Sequence, residues 1–149
     1  MKNEVEIQIV EDDDGHAKLI EKNLKRGGIR NKVTRFKDGE DVLKFYFEGG
    51  KARKLNGQRF VMLLDIRMPK VDGIEVLKRM KADAELQKVP ILMITTTDDP
   101  QEVEKCHELG CSCYIKKPVN ADRFIEAMVQ LGLFLLIIEV PGINGAKKK

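Results

Sequence analysis

The chain has 149 residues, of which 42% are hydrophobic and 34% are charged. This length fits one domain with a substantial core, and the composition excludes disordered and fibrous proteins. The net charge is only +3, and three lysines stand together at the end of the sequence. Because a nucleic-acid-binding domain usually has a larger basic excess on one face, we expect no nucleic-acid partner.

The sequence shows neither a signal peptide at its start nor an apolar run of the roughly 20 residues that span a bilayer. The most apolar stretch, residues 131–138, is much shorter. The three cysteines are an odd number without secretory features, which is typical of reduced thiols. We therefore predict a cytoplasmic protein that does not enter a membrane.

Apolar runs alternate with helical patterns along the chain, as in a parallel sheet covered by helices. The predicted strands cover residues 5–10, 32–36, 60–64, 91–94 and 112–115. The predicted helix caps are Asp13 or Asp14, Asp38, Asp99 and Asn120, and the predicted helix ends are the glycines at 27–28, 110 and 132. A further helix is predicted over 71–82, and residues 49–58 are predicted to form a loop. The pattern indicates an open α/β sandwich of five βα units.

Polar residues follow the predicted strands at the edge where such sheets bind ligands. They are the acids at 11–14 after strand one, Asp65 after strand three, the threonines at 95–97 after strand four, and Lys116, Lys117 and Pro118 after strand five. Clustered carboxylates favour a hard divalent cation such as Mg²⁺, and with it a carboxylate can act as a nucleophile toward a phosphoryl group. A lysine and a hydroxyl could then bind the phosphoryl oxygens.

Four motifs carry a resemblance to a known family. They are Ile-Val-Glu-Asp-Asp at 9–13, Leu-Leu-Asp-Ile-Arg-Met-Pro-Lys-Val-Asp-Gly at 63–73, Ile-Thr-Thr at 94–96, and Tyr-Ile-Lys-Lys-Pro at 114–118. With them the chain resembles the CheY-like receiver domains of two-component response regulators over nearly its whole length. The resemblance implies a flavodoxin-like fold: a doubly wound five-stranded parallel sheet, strand order 2-1-3-4-5, with helices on both faces.

The resemblance also implies a role for individual residues. Asp65 corresponds to the phosphorylated residue of an aspartyl-phosphate switch, and Mg²⁺ would be bound by Glu11, Asp12, Asp65 and the backbone carbonyl of Arg67. The residues that contact the phosphoryl group or respond to it would be Thr95, Lys117 and Tyr114, and the peptide bond before Pro118 would be cis. Asp12 with Asp13 is an alternative acidic pair, and Thr96 is an alternative to Thr95.

The family implies a phosphorelay protein rather than an enzyme, which catalyses only its own phosphotransfer and autodephosphorylation. A haloacid-dehalogenase-type phosphatase is the alternative, but such enzymes place a second aspartate two residues after the nucleophile, where this chain has Arg67. A third possibility is a receiver that binds partners without phosphorylation. The expected partners are a sensor histidine kinase and a downstream protein or phosphotransfer protein, since the chain ends soon after the fifth helix.

The chain also resembles the phytochrome-associated subgroup of single-domain receivers. The similar features are the long loop before strand three, Thr-Thr-Thr-Asp-Asp-Pro at 95–100, and Leu-Gly-Leu at 131–133. The subgroup implies a phytochrome-like kinase and a homodimer formed through the last helix and tail. We predict a receiver domain over 1–132, followed over 133–149 by an apolar extension and a disordered lysine tail. Packing of that extension on its own domain is the alternative to dimerisation.

Overall fold

A computed structural model describes residues 5–96, 99–117, 121–135 and 139–143 of the chain. Its main sheet has five parallel strands, which are β1 (Val5–Val10), β2 (Val33–Phe36), β5 (Arg59–Leu64), β6 (Ile91–Thr95) and β7 (Cys113–Lys116). Their order across the sheet is β2-β1-β5-β6-β7. Counting only these five strands, the order is the predicted 2-1-3-4-5, and the predicted fold class is confirmed.

In the described part of the chain, five α-helices cover the two faces of this sheet. They are α1 (Asp14–Arg26), α2 (Gly39–Tyr46), α3 (Gly73–Lys81), α4 (Pro100–Leu109) and α5 (Ala121–Leu135), and a short 3-10 helix spans Leu86–Lys88. One face carries α1 and α5, whose Leu24 and Met128 belong to the same buried cluster. The other face carries α2, α3 and α4, which contribute Val42, Leu77 and Cys106 to the second cluster.

The central strand β5 explains why the sheet needs both layers. Phe60, Met62 and Leu64 belong to the cluster under α2, α3 and α4, while Val61 and Leu63 belong to the cluster under α1 and α5. Successive side chains of a strand point to opposite faces, so a continuous apolar run is stable only where both faces are covered. Burial of each such side chain contributes roughly 1.5–3 kcal/mol.

The segment predicted as a loop over residues 49–58 contains regular structure. A small antiparallel hairpin pairs β3 (Phe47–Glu48) with β4 (Lys51–Ala52). Gly49 and Gly50 form its turn with φ values of 60° and 79°. A two-residue hairpin turn with positive φ at both positions is the kind that glycine pairs favour, so the prediction of an irregular loop was wrong here.

The prediction that the last helix ends at Gly132 was wrong. The helix continues to Leu135. Gly132 lies against α1: a Cβ atom on it would stand 3.2 Å from the carbonyl oxygen of Leu24. A Cβ atom on Gly27, at the end of α1, would stand only 2.7 Å from the carbonyl oxygen of Val129. Gly132 therefore permits close packing of two helices rather than terminating one.

Residues 139–143, in the predicted extension, pack against their own chain. Val140 and Ile143 are buried in the two clusters. Ile143 exchanges backbone hydrogen bonds with Gly57 and Gln58, at 3.0 and 3.1 Å, and the side chain of Arg59 donates to the carbonyl of Val140. Residues 139–143 thus adopt the intramolecular alternative, whereas the lysine tail lies outside the described residues. The domain limit at 132 stays a prediction.

Across the described ranges, every helix is too short or too polar to cross a membrane.

Candidate functional site

Four predicted site residues meet at the carboxyl edge of the main sheet. Glu11, Asp65 and Lys117 directly follow β1, β5 and β7, and Thr95 is the last residue of β6. Parallel pairing places these ends side by side, with the amide of Asp65 donating to the carbonyl of Val10 at 3.1 Å. The amide of Lys117 likewise donates to the carbonyl of Thr95 at 2.6 Å. The site is therefore set by the strand register itself.

Three carboxylates of this edge form a group that could hold a cation. One oxygen of each of Glu11, Asp12 and Asp65 lies within 4.8 Å of the others. Glu11 and Asp65 are buried, whereas Asp12 is exposed. Carboxylate oxygens at this spacing suit a hard divalent ion that keeps water ligands on its open side.

The alternative pair, Asp12 with Asp13, is disfavoured by the position of Asp13. Its side chain caps α1 by accepting a hydrogen bond from the amide of His16 at 2.9 Å. That bond lowers the pKa of the Asp13 carboxyl. Asp13, rather than Asp14, is thus the N-cap of α1. Its carboxylate already accepts the hydrogen bond from the His16 amide.

Lys117 is the cation that faces these acids. Its Nζ donates to Oε1 of Glu11 at 2.6 Å and lies 3.7 Å from Oδ2 of Asp65, with only 4% of the lysine side chain exposed. Burial still raises the pKa of the Glu11 carboxyl, because desolvation outweighs the hydrogen bond from Lys117, and Asp65 adds to the rise. Two acids and one lysine thus leave an excess of negative charge that a cation would neutralise.

Arg67 lies two residues after Asp65, and its side chain contacts α4. It forms an exposed ion pair with Glu102 of α4, with an N–O distance of 3.1 Å. This contact ties the loop after β5 to α4. The predicted contribution of Arg67 to the metal, its backbone carbonyl, stays a prediction.

The remaining predicted residues occupy the β6 and β7 side of the site. Thr95 is fully buried at the strand end, whereas the alternative Thr96 is exposed. Tyr114 is half-buried on β7, with its ring 6.3 Å from that of His107 in α4. Pro118 lies outside the described residues, so the cis peptide bond stays a prediction.

The Asp-Gly pair at 72–73 positions α3 against the end of β5. Asp72 caps α3 by accepting from the amide of Glu75 at 3.0 Å. A Cβ atom on Gly73 would lie 2.1 Å from the carbonyl oxygen of Asp65. Only glycine fits this approach, so the motif holds the backbone of Asp65 rather than its carboxylate.

Two site residues were not predicted from the sequence. Arg35, on β2, donates from Nε and Nη2 to the carbonyl oxygen of Glu11 at 3.0 and 2.7 Å, and pairs with Asp14 at 2.6 Å. His16 places Nδ1 3.0 Å from Nζ of Lys117. An arginine near the end of a strand beside the acidic one was the available signal, but nothing in the sequence linked His16 to Lys117.

A five-stranded parallel sheet of this order, with an acidic group and a buried lysine at its carboxyl edge, is typical of CheY-like signalling domains. The model of the response regulator receiver domain family matches residues 7–129. The chain belongs to this family and is a receiver domain of two-component signalling. Among its curated relatives, response regulator Rcp1 of Synechocystis is 30% identical over 124 residues, 83% of each chain.

Solved structures of receivers resemble the whole arrangement. A receiver domain from Rhodospirillum rubrum is 41% identical with a TM-score of 0.90, covering 94% of this chain and 99% of that one. The phosphorylated cyanobacterial phytochrome response regulator RcpA is 25% identical (TM-score 0.77; 91% and 96% covered). The Mn²⁺-bound form of Rcp1 is 26% identical (TM-score 0.79; 91% and 98% covered).

Proposed function

We propose that this chain is a phosphorelay switch in which Asp65 accepts a phosphoryl group from a sensor histidine kinase. The observation that carries the proposal is the meeting of three carboxylates within 4.8 Å, beside a buried lysine, at the carboxyl edge of the sheet. Asp65 is the central member, because it lies between Glu11 on one side and the β6–β7 ends on the other.

The donor set fits Mg²⁺. Glu11, Asp12 and Asp65 supply carboxylate oxygens, and the backbone carbonyl of Arg67 would complete the protein ligands. The Mn²⁺-bound structure of Rcp1 supports a divalent ion in a related receiver. When bound, the ion neutralises the negative charge that gathers around the acids and the phosphoryl oxygens.

The transfer follows from the positions of Asp65, Thr95 and Lys117. A carboxylate oxygen of Asp65 attacks the phosphorus of a phosphohistidine; the P–O bond forms as the P–N bond breaks, and the imidazole of the donor keeps the bonding electrons. Lys117 and Thr95 then bind phosphoryl oxygens. The chain turns over no other substrate, so its catalysis is limited to this transfer and to hydrolysis of its own aspartyl phosphate.

The output is a shift between two conformations that a partner protein recognises. We place the changing surface on α4, β7 and α5, where Tyr114 packs beside His107 of α4. The partner is a downstream protein or a phosphotransfer protein. The name of RcpA, a phytochrome response regulator, supports a phytochrome-like kinase, and the three free cysteines support a cytoplasmic location.

We further propose a homodimer formed through the end of α5. Leu133 and Phe134 are 54% and 48% exposed there, a large apolar surface for a helix end. Sedimentation velocity of a Leu133→Ser/Phe134→Ser variant should show a monomer under conditions where the unchanged chain is a dimer. A monomeric unchanged chain at high micromolar concentration would contradict this part of the proposal.

Intact mass spectrometry after incubation with acetyl phosphate and Mg²⁺ tests the main proposal, with Asp65→Asn as the matched control. We expect one added phosphoryl group that base removes and that the control lacks. Chelation of Mg²⁺, or an Asp12→Asn change, should strongly reduce the addition. If the chain binds Mg²⁺ but takes up no phosphoryl group, even from a phosphorylated histidine kinase, it is a phosphorylation-independent binding module.

A further inference from the structure

His16 lies directly beside the lysine of the site, yet the proposed function gives it no role. It is half-buried in the first turn of α1, and its Nδ1 is 3.0 Å from Nζ of Lys117. The same Nζ is 2.6 Å from Glu11 and 3.7 Å from Asp65. The ammonium group is therefore surrounded by an imidazole nitrogen and two carboxylates.

The direction of the hydrogen bond between Lys117 and His16 follows from the chemistry of the ammonium group. An ammonium has three donors and no acceptor, so Nδ1 must offer its lone pair. The imidazole is then the neutral ring with its proton on Nε2. Two of the three N–H groups of Lys117 point to Glu11 and His16. The distance to Asp65 is an ion-pair distance, beyond the range of a hydrogen bond.

The backbone of His16 is held in place by the first turn of α1. The amide of His16 donates to the capping carboxylate of Asp13 at 2.9 Å, and the next residue, Ala17, is buried in the helix interface. The start of the helix thus fixes the backbone of His16 independently of the contact with the lysine.

We propose that His16 is a positioning residue for Lys117: it holds the ammonium group away from the carboxylate oxygens of Asp65 before phosphorylation. This inference rests on the proposed function of Asp65 as the nucleophile. If the acceptor on His16 is lost, the ammonium group of Lys117 is no longer held toward α1, so Nζ can close the 3.7 Å gap and donate to Asp65. An oxygen that accepts from an ammonium is a poorer nucleophile toward phosphorus and a poorer metal ligand.

Two substitutions separate the acceptor from the bulk of the ring. His16→Phe keeps the bulk and removes the acceptor, whereas His16→Asn places an amide oxygen close to where Nδ1 lies. At saturating Mg²⁺ and phosphoramidate, we expect His16→Phe to lower the maximal phosphorylation rate about three- to tenfold, the effect of losing one typical hydrogen bond. The donor concentration at half-maximal rate should stay the same, and His16→Asn should regain most of the rate.

Lys22→Gln, an exposed change further along α1, is the matched control and should phosphorylate like the unchanged chain. Urea unfolding of each variant shows whether a slow rate reflects a damaged fold. An unchanged rate in His16→Phe would overturn the inference, as would a His16→Asn variant that is stable but equally slow.

A spectroscopic measurement tests the contact without any phosphoryl transfer. The ¹⁵N shift of Nδ1 in His16 should be that of an unprotonated, hydrogen-bonded nitrogen, and it should move in a Lys117→Met variant. If the ¹⁵N shift of Nδ1 were the same in the unchanged chain and in Lys117→Met, the inference would be overturned. If the unchanged chain shows the contact but accepts no phosphoryl group from any donor, the proposed function fails and the role of His16 in it fails too.

Discussion

At the scale of single residues, Arg35 shows how a side chain outside the acidic group can shape it. Nε and Nη2 of Arg35 donate hydrogen bonds to the carbonyl oxygen of Glu11. The ion pair of Arg35 with Asp14 lowers the pKa of the exposed Asp14 carboxyl. One contact is to the backbone before Asp12 and the other is to a side chain after it. The arginine therefore ties the segment that carries Asp12 to β2.

Arg35→Lys should weaken Mg²⁺ binding about three- to tenfold, because lysine keeps the positive charge but cannot form the two-pronged contact to the Glu11 carbonyl. Isothermal titration with Mg²⁺ measures the effect. Asp14→Asn is the control, since it removes the ion pair and leaves the carbonyl contact intact. Equal affinities in Arg35→Lys and the unchanged chain would show that the turn holds its shape unaided.

A second residue pair concerns stability rather than the site. Gln8 is fully buried on β1, and its Oε1 accepts a hydrogen bond from the hydroxyl of Tyr46, which is buried as well. Burial raises the pKa of the Tyr46 hydroxyl far above its usual range, so it is a permanent donor. Within the described part of the chain, Nε2 of Gln8 has no hydrogen-bond partner.

Tyr46→Phe should reduce the free energy of unfolding by roughly 1–3 kcal/mol, since it leaves Oε1 of Gln8 buried without a donor. Adding Gln8→Leu to that variant should restore much of the loss, because an apolar pair needs no hydrogen bond. Urea unfolding of both single variants and the double variant measures the coupling. Strictly additive losses would mean that the two side chains do not depend on each other.

At the scale of elements, the two glycines between α1 and α5 determine how closely these helices pack. Gly27 has an ordinary φ of −79°, so its only special requirement is space. A Cβ atom there meets backbone, the carbonyl oxygen of Val129, at 2.7 Å, and backbone cannot swing aside as a side chain can. Of the two glycines, Gly27 therefore leaves less room for a methyl group than Gly132, where the nearest atom would be 3.2 Å away.

Gly27→Ala should therefore destabilise the fold by about 1–3 kcal/mol, the usual effect of overpacking. Gly15→Ala is the matched control on the same helix. There the added Cβ atom would meet only the side chain of Asp13, at 3.2 Å, and alanine favours the helix. Chemical unfolding of both variants measures their free energies of unfolding. If Gly27→Ala were as stable as Gly15→Ala, α5 could move away from α1 without a loss of stability.

The elements also show what the sequence could and could not predict. The five long strands were predictable because apolar runs such as 60–64 have a single stable placement, between two helical layers. The two-residue strands of the hairpin are too short to show a period. Gly132 was ambiguous, because glycine both ends helices and permits close packing. Only the structure shows that the backbone carbonyl of Leu24 lies close to Gly132.

Four of the predicted site residues, Glu11, Asp65, Thr95 and Lys117, share one property: each stands at the end of a strand. That position can be read from a local pattern, which is why these four could be predicted. The contacts of Arg35 and His16 join segments 24 and 101 residues apart. No local pattern encodes them, because they depend on the geometry of the neighbouring strands and of α1.

At the scale of the whole molecule, the acidic edge opposes folding when no cation is bound. Folding brings three carboxylates within 4.8 Å, and burial raises the pKa of Glu11 despite its contact with Lys117. Like charges held this close raise the free energy of the native state. A divalent cation that binds only the folded chain should therefore stabilise it.

Mg²⁺ at 100 times its dissociation constant should raise the free energy of unfolding by about 2.7 kcal/mol, as mass action requires for a ligand of the native state. Asp12→Asn should be at least as stable as the unchanged chain without Mg²⁺, since it removes one of the repelling charges, and should gain much less from the ion. Urea unfolding with and without Mg²⁺ supplies both values, with Ca²⁺ and high NaCl as controls for general ionic effects. If Asp12→Asn and the unchanged chain gained equally, the stabilising ion would bind elsewhere, because an ion held by this group would lose one of its three carboxylates.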